Sequence, residues 1–178
     1  MPSATIHTDT IYVAIETVSL GHALIAHTDL GVRAILLGDD VPALRRDLQK
    51  RFSNATIVES EPRHRELIDQ VTVAIEFPEK RVAIPLDARG TPFQQTVWQA
   101  LREIPTGSTV SYTDLAIQLG RPKSARAVAQ ACAANAVAVI IPCHRVVRSD
   151  GTLSGYRWGV QRKRRLLEQE RDIISTFW

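Results

Sequence analysis

The hydrophobic period of this chain changes after Gly38, and that change restricts the fold more than any other feature. Before it lie three short runs rich in β-branched residues, Thr10 to Glu16, Gly21 to His27 and Gly31 to Leu37. Gly21 and the Asp29-Leu30-Gly31 step punctuate them as turns, which predicts a three-stranded antiparallel meander. After it the spacing becomes helical. Asp40 precedes Val41 and Pro42, and Leu44, Leu48 and Phe52 fall on one stripe. Pro62 opens a second helix with Leu67, Ile68, Val71 and Ile75 on one face, and Phe77 to Lys80 breaks it. Val82 to Asp87 reads as extended, with Pro85 arguing against a central strand.

Asp87 to Gly90 is the expected linker, and the pattern beyond it is helical. Thr91-Pro92-Phe93-Gln94 is a capping box with proline at the first helical position, and Phe93, Val97, Trp98 and Leu101 form the apolar face that follows. The predicted class is α+β. An N-terminal domain, residues 1–88, carries the three-stranded antiparallel sheet with helices. A C-terminal domain, residues 89–178, is all helical and contains a helix-turn-helix.

Composition narrows the function. Two cysteines cannot build a disulfide framework or a zinc site of three or four thiolates, so no metal and no cofactor is expected. No apolar run approaches the roughly 18 residues of a spanning helix, and the longest is Ala136 to Pro142. The opening MPSATIHTDT lacks a basic and an apolar region, so no secretory signal is read there. A cytoplasmic location with free thiols follows as the expectation. Residues 1–90 hold 10 Lys+Arg against 13 Asp+Glu, net −3, and residues 91–178 hold 12 against 6, net +6. A basic half beside an acidic one fits a polyanionic partner, and it also fits ordinary charge scatter on a solvated surface.

Tyr112 to Leu119 and Ser124 to about Ala134 read as two short helices joined by the turn Gly120-Arg121-Pro122-Lys123. The pair is a helix-turn-helix or a plain αα-hairpin. The second helix has six alanines in the eleven residues 124–134. Only Arg126 and Gln130 could read bases, so DNA binding there would rest on shape and phosphates, with little sequence preference. Alternatively, the alanines permit tight packing of a buried helix.

Pro142-Cys143-His144-Arg145 puts a thiol, an imidazole and a guanidinium in succession after an apolar run. Such neighbours raise the thiolate fraction. Adjacent residues on a regular helix do not face each other, so Cys143 and His144 interact only in a tight turn. A buried structural cysteine beside a surface histidine is the other reading. Glu170, in the helix begun near Gln161, is a candidate to orient the imidazole, directly or through water, or else a solvated carboxylate.

The set Arg126, Asn135, Ile141 to Val146, Gly155-Tyr156 and Glu170 resembles the O6-alkylguanine-DNA alkyltransferase family. Ile35 to Asp40, Gly90-Thr91, Phe93 to Gln95, Val97 to Leu101, Val110 to Tyr112 and Leu153 to Gly159 are similar to it as well. The resemblance covers essentially the whole chain and implies a ribonuclease H-like N-terminal domain. It implies that Cys143 takes the alkyl group, irreversibly and once per molecule. His144 would be its base, linked through a water to Glu170, and Tyr112 would donate to N3 of the guanine. Arg126 would fill the gap left by the flipped base, and Asn135 would hold the turn before the active-site segment. The carbonyls of Cys143 and Val146 would accept from the guanine amino group, and Tyr156 would wall the pocket. Ser124 and Ala125 would meet DNA at the start of the recognition helix, and Trp158 would either stand beside the alkyl group as a gate on its size or pack outward on the C-terminal helix, away from the substrate.

The implied partner is double-stranded DNA carrying O6-alkylguanine (or O4-alkylthymine), bound by a monomer. Cys132 matches no catalytic position and reads as core. Some family members carry an N-terminal zinc site, for which this chain has too few ligands. Some also have a second, metal-binding half that accepts methyl from phosphotriesters, to which nothing here corresponds. A helix-turn-helix transcription regulator and a cysteine hydrolase are the competing classes.

Overall fold

The computed structural model describes residues 9–177, so residues 1–8, which carry most of the opening segment read above for a signal, lie outside the described residues. β1 (Thr10–Val18), β2 (Gly21–Thr28) and β3 (Gly31–Gly38) form the expected antiparallel meander. The tight β1–β2 turn is made at Gly21, whose φ of 109° a side chain would resist, and a Cβ there would come within 2.8 Å of the Gly38 carbonyl. β2 and β3 are buried nearly throughout, because α1 (Val41–Arg51) and α2 (Arg65–Glu76) pack Leu44, Leu48, Ile68, Val71 and Ile75 into the same core.

The sheet has four strands rather than the three expected. β4 (Thr56–Glu59) adds parallel to β1 at the edge, giving the order β3-β2-β1-β4. Four residues, three of them exposed and the fourth half-buried at an edge, carry too short an alternation to announce a strand. The other edge is closed by irregular chain. Val32 N donates to Pro85 O (2.8 Å), and Asp87 N donates to Val32 O (2.8 Å). Pro85 is tolerated because only its carbonyl is used. Further along β3, Ile35 N donates to Ala136 O (2.9 Å) and Ala138 N to Ile35 O (3.1 Å). The apolar run from Ala136 is thus a buried loop pinned to the sheet, and residues of both halves share one hydrophobic cluster.

α3 (Pro92–Arg102) starts at the predicted capping box, with Gln94 N donating to Thr91 Oγ1 (3.2 Å) and Thr91 N to Gln94 Oε1 (2.9 Å). The later half is not all helical. β5 (Val110–Ser111) pairs parallel with β6 (Val146–Val147), two-residue strands below the length at which periodicity can be seen. α4 (Tyr112–Gln118) and α5 (Ala125–Ala133) follow, and α6 (Val160–Phe177) closes the chain. Ser124 stands at the N-cap of α5 but makes no side-chain cap bond. Its ψ of 20° is far from the extended value that lets a hydroxyl reach the first free amides. Among the described residues no helix is long and apolar enough to cross a membrane.

Candidate active site

Pro142 ends the buried loop, and Cys143–Arg145 form one 3₁₀ turn leading into β6. That tight turn separates the three side chains. Cys143 lines a cavity of about 560 Å³ together with Tyr112, Cys132, Arg148, Ser154 and Tyr156. His144 and Arg145 do not line it and reach instead toward α6.

There they meet Glu170, which is completely buried and accepts four hydrogen bonds. His144 Nε2 is 2.7 Å from Oε1, Arg145 Nη2 2.9 Å from Oε1, Arg145 Nε 2.9 Å from Oε2, and Gly107 N 3.1 Å from Oε2. The His144–Glu170 contact is direct, the first of the two arrangements left open by the sequence, and not the water link implied by the resemblance. Burial opposes ionisation of Glu170, but the His144 hydrogen bond and the Arg145 guanidinium outweigh it and draw its pKa down to about 2. Burial pushes His144 below its ordinary 6.5, against the pull of Glu170, so the ring is neutral at rest. An ionised carboxylate can only accept, so the ring proton sits on Nε2 and the lone pair on Nδ1. Nδ1 is buried and meets no hydrogen-bond partner among the described residues.

The thiol is held neutral in the resting site, because burial raises the Cys143 pKa. Two groups oppose this. Asn135 Nδ2 donates to Cys143 Sγ (3.3 Å), and the positive charge of Lys163 favours the thiolate. Asn135 also ties the loop together, donating to Ile141 O (2.9 Å) and accepting from Val137 N (2.9 Å). The loop it braces includes Val139 at φ 68°, a conformation β-branched residues rarely adopt. Cys132 is also buried, with its pKa pushed up to about 12, which leaves it inert.

Tyr112 Oη is 2.5 Å from Ser154 Oγ on the cavity wall, and burial raises the phenol pKa although that hydrogen bond opposes it. The Val146 carbonyl accepts from Lys163 Nζ (2.7 Å). Tyr156 lines the cavity with its hydroxyl buried and unpartnered among the described residues. Trp158 is buried at 6% exposure and packs edge-on against Tyr156 at 5.2 Å, but it is not on the cavity wall. Of this loop, Ser154, Gly155, Tyr156 and Arg157 line the cavity and Trp158 does not. On α5, Arg126 is exposed and Ala125 half-buried, while Val128, Ala131 and Cys132 face the core.

Three functional side chains escaped sequence reasoning: Arg145 as the clasp of Glu170, Ser154 beside Tyr112, and the fully buried Lys163. Lys163 was detectable, since Lys163, Leu166 and Glu170 are spaced i, i+3, i+7 and fall on one helix face.

Comparison with known proteins identifies the family. The family model for the 6-O-methylguanine DNA methyltransferase DNA-binding domain matches residues 92–172. The bifunctional transcriptional activator/DNA repair enzyme Ada of Escherichia coli is 52% identical over 157 residues, 88% of this chain but only 44% of Ada. The inducible methylated-DNA–protein-cysteine methyltransferase of Bacillus subtilis is 40% identical over 127 residues, 71% of each chain. The Mycobacterium tuberculosis OGT crystallised with DNA superposes with a TM-score of 0.72 at 33% identity, over 92% of this chain and 93% of that one. A shared fold, a relative 40% identical and matched over 71% of its own length, and a matching domain model together place this chain in the O6-methylguanine-DNA methyltransferase family.

Proposed function

We propose that this chain repairs alkylated DNA by direct reversal, moving the alkyl group of O6-alkylguanine, and of O4-alkylthymine, irreversibly onto Cys143. The observation that carries the reading is the division of labour around one 3₁₀ turn. It presents the thiol to a cavity and, at the next residue, holds a neutral imidazole against a buried carboxylate.

His144 Nδ1 takes the thiol proton through a bridging water, and Glu170, held by Arg145, stabilises the imidazolium that forms. The Asn135 amide and the Lys163 charge lower the cost of the thiolate. The thiolate displaces guanine from the alkyl carbon. Tyr112 donates to N3 of the leaving base, while the free lone pairs of the Cys143 and Val146 carbonyls accept from its amino group. Tyr156 walls the pocket.

A base in a duplex offers its O6 substituent only after extrusion, which costs a few kcal/mol. α4 and α5 act as a helix-turn-helix, with Ser124 and Ala125 against phosphates and Arg126 in the gap left by the base. The uncommitted Ser124 hydroxyl and the exposed Arg126 support this placement. Two folding units, residues 1–88 and 89–178, with a monomer bound to largely unselected sequence, complete the reading.

The product is a thioether, and no group in the cavity can cleave it. With excess O6-methylguanine duplex, repaired guanine should therefore plateau at about one equivalent of protein. Linear product formation beyond that point would refute the reading.

A further inference from the structure

Lys163 is the one fully buried lysine on α6, and the alkyl-transfer scheme above uses it only as a distant charge. Its contacts are more specific. Nζ donates to Val146 O (2.7 Å) and to Ser154 Oγ (2.9 Å), and Ser154 Oγ is in turn 2.5 Å from Tyr112 Oη. An unbroken chain of three donor groups thus runs from a buried ammonium to the cavity wall that Tyr112 and Ser154 share with Cys143.

The chain has a direction. An ammonium only donates, so Ser154 Oγ accepts from Lys163. The serine proton is then available to Tyr112 Oη, which turns the phenol proton toward the cavity. The bond from Lys163 to the Val146 carbonyl fixes the ammonium at the head of the chain.

We infer that Ser154 and Lys163 form a proton relay that resupplies Tyr112 as it protonates the departing guanine, an inference that rests on the alkyl-transfer reading. In the step, the S–C bond forms as the C–O bond breaks, and the electron pair of the broken bond stays on guanine. Tyr112 passes its proton to guanine N3, Ser154 passes its own to Tyr112, and Lys163 passes one to Ser154. Lys163 ends as a neutral amine while the thiolate ends as a neutral thioether. The buried site therefore loses a positive and a negative charge together, and neither is left unpaired in a dry interior. Ser154 is a positioning residue here, since it acts on the base only through Tyr112.

The test separates leaving groups. Single-turnover transfer is measured for the wild type and Ser154→Ala with two methyl donors, O6-methylguanine duplex DNA and iodomethane. Iodide leaves without a proton, so the relay is irrelevant to it. The relay predicts that Ser154→Ala slows transfer from DNA by about tenfold or more, at saturating DNA, while iodomethane labels Cys143 at the wild-type rate. Equal slowing with both donors would mean that Ser154 only shapes the pocket, and no slowing with DNA would mean that it carries no proton. Either result overturns the relay. A wild type that reacts with iodomethane but takes nothing from DNA would instead overturn the alkyl-transfer reading itself.

Discussion

Replacing Glu170 by glutamine keeps the volume and removes the charge at the centre of the buried network. A glutamine carbonyl oxygen has two lone pairs, whereas the carboxylate receives four donors from His144, Arg145 and Gly107. At least two donors would face an amide NH₂ instead of an acceptor. Each unsatisfied buried group costs about 1–3 kcal/mol, and the Arg145 guanidinium, 9% exposed, would lose its counter-charge. Breaking one side of a buried ion pair costs about 3–5 kcal/mol, so the two routes agree. For a chain of this size that is a fall in Tm of roughly 6–20 °C. Urea denaturation would measure it, with Arg145→Met and the double variant completing a cycle. The double variant should be more stable than the sum of the single losses predicts, by about 1 kcal/mol or more. A loss below about 1 kcal/mol for Glu170→Gln, or strict additivity, would refute the claim that the carboxylate is the hub of the site.

Two further outcomes follow. Affinity for DNA should fall steeply with salt and vary little with sequence, and Arg126→Ala should weaken repair in a duplex more than reaction with the free alkylated base, as read by binding titrations and single-turnover rates. Stability should fall on the acid side in two stages, read from urea midpoints between about pH 8 and about pH 4 and below. The fold holds His144 neutral, so its contribution is complete above 6.5 and erodes below, as the unfolded chain takes up a proton that the folded one refuses. Glu170 contributes fully above its ordinary 4.5 and loses that contribution as the pH falls toward about 2, and Glu170→Gln should lack this second stage.

The parts of the fold that were legible in the sequence are those with a period long enough to see. The meander from Thr10 to Gly38, the capping box at Thr91 and the paired short helices all stood out. β4, β5 and β6 did not, because strands of two to four residues are defined by partners far away in sequence. The thiol and the imidazole were candidates from their chemistry beside the reading of a buried structural cysteine, and Glu170 was singled out by the family resemblance rather than by its spacing. Arg145 as a clasp was not, since the sequence shows its guanidinium only as a neighbour of the thiol until a carboxylate 25 residues away is seen to accept from it. Trp158 was read through the resemblance as either beside the alkyl group or packed outward, and sequence could not choose between them, because only the folded loop shows the indole packed on Tyr156 and off the cavity wall.

The central claim is that one thiol receives the alkyl group, and peptide mass mapping tests it most directly. After incubation with a duplex containing O6-methylguanine, the peptide carrying Cys143 should gain the mass of one methyl, the peptide carrying Cys132 should gain none, and Cys143→Ala should gain none anywhere while still binding DNA. Methyl found on Cys132, or an unmodified Cys143 peptide alongside repaired DNA, would contradict the account.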